Sequence, residues 1–138
     1  MSLLRVLAVD DERKILDIVK YCLEQGGCSV QAFTDPAPAL EMARREKFDV
    51  IVLDIVLANR DGYGIASELK KIKNAENTPI LFVSSKIEVA ELFLEHFSGP
   101  ADFLAKPFKK EELLARVKAL AEGKGRRERS VAGRRKSE

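Results

Sequence analysis

The strongest constraint on the fold of this sequence is a fivefold alternation between short apolar runs and longer segments with helical spacing. The apolar runs occupy residues 4–9, 28–33, 50–53, 79–83 and 101–105. The segments between them carry apolar side chains at three- and four-residue intervals, which is typical of amphipathic helices. Strands that are apolar throughout and are separated by helices are typical of a parallel sheet with helices on both faces. We therefore predict an α/β fold built on one doubly wound sheet.

The predicted helices occupy residues 12–25, 36–47, 64–72, 86–97 and 109–122. Gly26-Gly27 provides the left-handed stop expected after the first helix, and Asp35 caps the second helix just before Pro36. The side chains expected to face the sheet from the first helix are Ile15, Ile18, Val19, Cys22 and Leu23. Those expected to do so from the last helix are Leu113, Leu114, Val117 and Leu120.

The composition of the chain favours one soluble domain. Of its 138 residues, 46% are hydrophobic and 33% are charged, which suits a single domain with a real core. No uninterrupted apolar run approaches the roughly 20 residues of a membrane helix, and residues 1–5 lack the pattern of a secretory signal. Cys22 and Cys28 form no CxxC pair, so we interpret them as core thiols in a reducing compartment. A cytoplasmic protein without a membrane partner is expected.

The charge of the chain is unevenly distributed. Residues 122–138 hold seven Lys and Arg against three acids, whereas residues 1–121 are slightly acidic. We therefore predict a folded domain over residues 1–121 and a basic, flexible tail or linker over residues 122–138. No specific nucleic-acid contact is expected from the domain itself. The sequence leaves open whether an output domain follows the tail.

Polar side chains stand at the ends of four predicted strands. Asp10 and Asp11 follow the first strand, Asp54 the third, Ser84 the fourth and Lys106 the fifth. In parallel sheets these ends lie at one edge, where ligands bind. Three carboxylates are hard oxygen ligands that suit Mg²⁺, which readily bridges to phosphate, while a hydroxyl and an ammonium can hold phosphoryl oxygens. The set favours phosphoryl transfer to a carboxylate.

These residues lie within motifs by which residues 4–121 resemble the receiver domain of two-component response regulators. The matching segments are Val9-Asp10-Asp11-Glu12, Val52-Leu53-Asp54-Ile55-Val56-Leu57 with Asp61-Gly62, Thr78-Pro79-Ile80-Leu81-Phe82-Val83-Ser84-Ser85 and Asp102-Phe103-Leu104-Ala105-Lys106-Pro107-Phe108. Their order along the chain makes the match specific. The resemblance implies a flavodoxin-like sheet of five parallel strands in the order 2-1-3-4-5, with five helices on both faces.

The resemblance also implies a phosphoacceptor and a metal site. Asp54 is expected to accept the phosphoryl group, and Lys106 to pair with its oxygens. Asp11 is expected to ligate Mg²⁺ directly and Asp10 through water, with Asp54 and the backbone carbonyl of Val56 as further ligands. The Lys106-Pro107 peptide bond is cis in many members of the family.

Four positions are expected to control the switch and its lifetime. Ser84 matches the hydroxyl residue that moves toward the phosphoryl group, and Phe103 matches the switch aromatic that swings inward. Val56 and Lys86 match positions that tune dephosphorylation. Because the apolar Val56 cannot orient a water molecule, we expect a long-lived phosphoryl group.

The resemblance implies a phosphorylation-dependent signalling switch. A histidine kinase or histidine phosphotransfer protein would supply the phosphoryl group, and the face formed by the fourth helix, fifth strand and fifth helix would change for a downstream effector or output domain. The helix at 86–97 is apolar enough either for deep packing or for a contact face that forms a homodimer, and periodicity does not separate the two. Such a domain assists its own phosphorylation and dephosphorylation and is not otherwise an enzyme.

Three other functions are disfavoured. A hydrolase of the haloacid-dehalogenase type needs a second acid two residues after the nucleophile, where this chain has Val56. A nucleotide enzyme needs a glycine-rich loop after the first strand, which the sequence lacks. A degenerate receiver that serves as an unphosphorylated scaffold is the remaining alternative, but the acids, the hydroxyl and the lysine are all present.

Overall fold

The computed structural model describes residues 3–55 and 62–123, apart from the side chains of Ile87 and His96. Strands and helices alternate along this part of the chain as β1 (Leu4–Val9), α1 (Arg13–Gln25), β2 (Cys28–Phe33), α2 (Pro36–Arg45), β3 (Val50–Asp54), α3 (Gly62–Lys70), β4 (Ile80–Ser84), α4 (Ile87–His96), β5 (Ala101–Ala105) and α5 (Lys110–Ala121). Within these ranges no helix has the length and apolarity to cross a bilayer.

The five strands form one parallel sheet in the order β2-β1-β3-β4-β5, which confirms the predicted fold class. The register aligns the carboxyl ends of the strands. Val9 pairs with Leu53, Asp54 with Val83, and Ser84 with Ala105. Residues far apart in sequence are thereby placed at one edge of the sheet.

Both faces of the sheet are buried, which explains the continuously apolar strands. Along β1, Val6 and Ala8 belong to the core under α1 and α5, whereas Leu7 and Val9 belong to the core under α2, α3 and α4. This alternation follows from the two-residue repeat of a strand. Phe82 fills the second of these cores and makes an edge-to-face contact with Phe97, with ring centroids 5.4 Å apart.

The inward face of α1 differs from the expected one. Leu16 is buried in the structure, whereas Ile18 is 47% exposed, so the expectation for Ile18 was wrong. On a helix of 3.6 residues per turn, Ile18 lies about 200° around the axis from Leu16 and cannot share its face. Ile15 and Leu114 are only half-buried and pack at the margin of the core under α1 and α5.

Helix boundaries follow local chemistry. The Asp35 side chain accepts a hydrogen bond from the Ala37 N–H at 3.0 Å, as expected of a cap. Helix α2 ends at Arg45, two residues before the predicted end at 47, and α3 begins at Gly62 rather than at 64.

Candidate functional site

Three of the predicted acids meet at the carboxyl edge of the sheet. Asp10 follows β1 and Asp54 ends β3, and both are buried, whereas Asp11 is exposed. One carboxylate oxygen from each of the three lies within 4.8 Å of the others. The neighbouring strands bring them together, since β1 pairs with β3 in a register that aligns their last residues.

The Lys106 ammonium lies among these carboxylates. Its Nζ donates to Asp10 Oδ2 at 3.0 Å and lies 3.5 Å from Asp54 Oδ2. The loop after β5 holds the lysine in place, because its backbone N–H donates to Ser84 O at 2.8 Å. The Lys106-Pro107 peptide bond is cis, as the resemblance implied.

Glu12 is a third acid near Lys106, after Asp10 and Asp54, and the sequence did not single it out as a site residue. Its Oε1 lies 3.8 Å from Lys106 Nζ, and its side chain is largely exposed. The Glu12 N–H donates to Asp10 Oδ1 at 2.9 Å, which fixes the turn after β1. The signal for this residue was its place beside Asp10-Asp11 in the first motif.

The surroundings of Lys106 keep it charged. Burial lowers the pKa of this lysine, but the hydrogen bond that its ammonium donates to Asp10 and the charges of Asp10, Asp54 and Glu12 together outweigh burial and raise the pKa above its ordinary value. The site therefore holds a permanent cation at neutral pH. Three clustered carboxylates still face one ammonium, and this excess of negative charge and of oxygen ligands suits a divalent ion such as Mg²⁺.

Gly62 explains how α3 can begin directly behind the site. Its N–H donates to Ile55 O at 2.6 Å. A Cβ at this position would lie 2.5 Å from Asp54 O and 2.7 Å from Ile55 Cα, which is closer than a carbon atom can approach backbone atoms. The glycine of the Asp61-Gly62 pair is therefore required by packing against the end of β3.

The other predicted residues occupy different surroundings. Ser84 is buried, and its Oγ accepts a hydrogen bond from the Lys86 N–H at 2.9 Å. The Lys86 side chain is exposed. Phe103 is 6% exposed and already packs inside the core under α2, α3 and α4. Val56 lies outside the described residues.

Comparisons with known proteins agree on one family. A sequence model of the response regulator receiver domain matches residues 6–118. The response regulator MprA of Mycobacterium leprae (strain TN) is 37% identical over 117 residues, which cover 85% of this chain and 50% of that protein. The alkaline phosphatase synthesis transcriptional regulatory protein PhoP of Bacillus subtilis (strain 168) is 38% identical over 116 residues, covering 84% and 48%. The chain thus spans about half the length of these relatives.

Solved structures give the same result. The chemotaxis response regulator CheY4 of Vibrio cholerae has a TM-score of 0.78 at 27% identity, covering 86% of this chain and 99% of that one. The receiver domain of the Francisella response regulator 1452 has a TM-score of 0.74 at 32% identity, covering 86% and 96%. With its strand order and its acidic edge, the chain belongs to the response regulator receiver domain family.

Proposed function

We propose that this chain is a phosphorylation-dependent signalling switch in which Asp54 accepts a phosphoryl group from a histidine kinase or a histidine phosphotransfer protein. The observation that carries the proposal is the position of Lys106, whose ammonium lies 3.5 Å from Asp54 in a cluster of three acids. A cation beside a carboxylate nucleophile is the arrangement that phosphoryl transfer needs, because charge must be neutralised on the transferring group.

In the proposed reaction, an Asp54 carboxylate oxygen attacks phosphorus and forms an O–P bond. The P–N bond to the donor histidine breaks, and its electron pair stays on the imidazole nitrogen. Lys106 holds the oxygens of the transferred group, since its ammonium is fixed between Asp10 and Asp54. The departing imidazole takes up one proton from solvent, so that neutral histidine is released and no other co-reactant is needed.

Receiver domains bind Mg²⁺ at their acidic site, and the donor set of this chain fits that ion. Asp11 and Asp54 would hold it directly, together with the backbone carbonyl of Val56, which lies outside the described residues. Both Asp10 oxygens already accept protein hydrogen bonds, from Lys106 and from the Glu12 N–H, which supports contact through water. Bound Mg²⁺ supplies positive charge that offsets the acids and the phosphoryl oxygens.

Ser84 would be the first residue to carry the signal away from Asp54, before Phe103. To reach a phosphoryl oxygen, the Ser84 hydroxyl must leave the Lys86 N–H, which costs about 1 kcal/mol and frees the start of α4. Phe103 is already buried, so an inward swing from an exposed position is not available in this conformation. The β4–α4 connection is therefore the part of the face formed by α4, β5 and α5 that we expect to change first.

The remaining features of the proposal concern lifetime and partners. Val56 and Lys86 would tune a slow dephosphorylation, and the face formed by α4, β5 and α5 would serve a downstream effector, an output domain or a homodimer.

We place the domain boundary near residue 121, with the basic residues 122–138 as tail or linker, and the protein in the cytoplasm. The chain would act as a regulatory phosphoacceptor and not as an enzyme for a free substrate.

Incubation with acetyl phosphate and Mg²⁺, followed by intact-mass measurement, tests the proposal. We expect the full chain to gain the mass of one phosphoryl group, and the gain to vanish in Asp54→Asn and on chelation of Mg²⁺. Asp17→Asn is the matched control, because Asp17 is an exposed aspartate on α1 away from the strand ends. Absence of uptake by the wild-type chain would favour the scaffold function instead.

A further inference from the structure

Helix α4 is packed unevenly along its length. Before Phe93, Ala90 is the only described side chain of this helix that is buried, and Val89 is half-buried. From Phe93 onward, Leu94 and the residue that ends the helix, Phe97, are both buried, and Phe93 itself packs against the core. A segment with fewer buried apolar side chains opens at a lower cost in free energy. The first part of α4 should therefore be less stable locally than the second.

The side chain of Phe93 lies between aromatic rings from two other elements. It makes edge-to-face contacts with Tyr63 of α3, at 5.1 Å between ring centroids, and with Phe82 of β4, at 6.0 Å. One turn further on, Phe97 contacts the same Phe82 ring, and Lys70 Nζ of α3 lies 5.3 Å from the centroid of the Phe97 ring. Such contacts are favourable beyond the apolar area that they bury. The second part of α4 is thus held by both α3 and β4.

The two rings that contact Phe93 belong to parts of the fold that are fixed by backbone contacts. Tyr63 follows Gly62, whose N–H donates to Ile55 O directly after β3. Phe82 is completely buried in β4, which pairs with β3 on one side and with β5 on the other. Neither anchor includes the hydrogen bond from the Lys86 N–H that the proposed switch breaks.

We propose that Phe93 is the pivot of α4: on phosphorylation, the part of the helix before Phe93 moves with the β4–α4 connection, and the part from Phe93 onward stays in place. The inference rests on the proposed function, in which the Ser84 hydroxyl leaves the Lys86 N–H. That departure loosens the start of the helix, and the packing behind it stays weak until Phe93. A partner protein that distinguishes the two states would therefore find the change confined to the first part of α4.

Exchange of two amide hydrogens tests the pivot without phosphorylation. The Ala90 N–H donates to Lys86 O at 3.2 Å, and the Phe97 N–H donates to Phe93 O at 2.8 Å, so the two amides report on the two parts of α4. In the full chain, Ser84→Ala removes the side-chain acceptor of the Lys86 N–H. Exchange at Ala90 is expected to become roughly tenfold faster, and exchange at Phe97 to stay within about twofold.

Both rates are divided by that of an amide in the middle of β4, so that a change in global stability cancels. An equal rise at Phe97 and Ala90 in Ser84→Ala would overturn the proposal, since α4 would then respond as one rigid unit. An unchanged rate at Ala90 would overturn it as well, because the start of the helix would then not depend on this hydrogen bond.

A second substitution tests the role of Phe93. In a Phe93→Ala background, adding Ser84→Ala is expected to raise exchange at Phe97 by roughly tenfold too, because the rings of α3 and β4 no longer hold the helix at this point. Leu92→Ala is the matched control background, since Leu92 is the neighbouring exposed side chain. Should Phe93→Ala fail to fold, Phe93→Leu replaces it, because leucine stays apolar but lacks the ring. Equal behaviour of the Phe93 and Leu92 backgrounds would contradict a pivot at Phe93.

The same two amides are then compared in the full chain with and without acetyl phosphate and Mg²⁺, with intact mass measured in parallel. We expect faster exchange at Ala90 and an unchanged rate at Phe97 in the phosphorylated chain. A chain that gains no phosphoryl mass would contradict the proposed function, and the pivot is then decided by the Ser84→Ala result. A chain that gains the mass but changes at both amides, or at neither, would contradict the pivot alone.

Discussion

Within the described residues, two partly buried clusters of basic and acidic side chains lie near β5, and they differ in charge balance. At the carboxyl edge, Lys106 lies among Asp10, Asp54 and Glu12, so that one cation faces several acids. Beneath α5, Arg116 pairs with Asp102 and the charges are equal. Contacts between a cation and carboxylates therefore serve two different purposes in this molecule.

The unbalanced cluster at Lys106 has more carboxylates than cations and is exposed to solvent at Asp11, which suits the binding of a cation and a phosphoryl group. The balanced pair at Arg116 satisfies backbone groups and leaves no net charge to recruit a ligand. Charge balance, rather than burial, separates the site from the structural contact. Substituting one member of each cluster should therefore affect stability and phosphoryl uptake to different extents.

The largest expected effect is on stability at the balanced pair. Arg116→Gln leaves the buried Asp102 carboxylate without its cation, which should lower the free energy of unfolding by about 3–5 kcal/mol. The rate of phosphoryl uptake by the folded protein should stay within about twofold, because Asp102 is the second residue of β5 and lies away from the carboxyl end of that strand. Urea unfolding and intact-mass kinetics measure the two quantities. A stability loss below about 1 kcal/mol would mean that the pair behaves like an exposed ion pair and not like a buried one.

At the unbalanced cluster, a substitution should change the rate of phosphoryl uptake more than it changes stability. Lys106→Met removes the cation beside Asp54 and should slow phosphoryl uptake by about 10²–10³-fold. Lys110→Met is the control, since this lysine is exposed at the start of α5. Uptake by Lys106→Met at the control rate would show that the ammonium takes no part in the transfer.

Mg²⁺ should stabilise the folded chain through the excess of carboxylates in the unbalanced cluster. At a concentration a hundredfold above its dissociation constant, Mg²⁺ should stabilise the wild-type chain by about 2.7 kcal/mol, measured by thermal unfolding. Asp11→Ala should abolish this gain without lowering stability in the absence of the ion, because Asp11 is exposed. Asp102→Asn should retain the gain. Loss of the Mg²⁺ response in Asp102→Asn would mean that the two clusters are coupled.

The fold and most of the site were predictable because both depend on local patterns. Apolar runs fix the strands, and a parallel topology brings their last residues together, so Asp10, Asp54 and Lys106 could be placed without coordinates. The exposure of Ile18 was not predicted, since spacing gives the period of a helix and not the direction of its neighbours. The proposed roles of Val56 and Lys86 remain predictions.

The pair of Asp102 and Arg116 also escaped the sequence analysis. Its partners lie on different elements, 14 residues apart, and their contact depends on how α5 packs against β5. A signal was present, because Asp102 is a charged residue inside an apolar run, and a buried carboxylate requires a partner. Asp102 was interpreted only as part of the motif around Lys106, and no partner for its carboxylate was predicted.

The smallest expected effect is the pH dependence of stability at the unbalanced cluster. The folded-state pKa of Lys106 is raised, so its charge contributes stability that is fully present below the unfolded pKa of about 10.4 and is lost as pH rises through the folded pKa. The stability difference between the wild type and Lys106→Met should therefore stay constant from neutral pH to about pH 10 and shrink only above it. Urea unfolding at several pH values measures it. A difference that already shrinks between pH 7 and pH 9 would place the pKa of Lys106 below its ordinary value, and the acids around it would then not hold the cation that the proposed transfer requires.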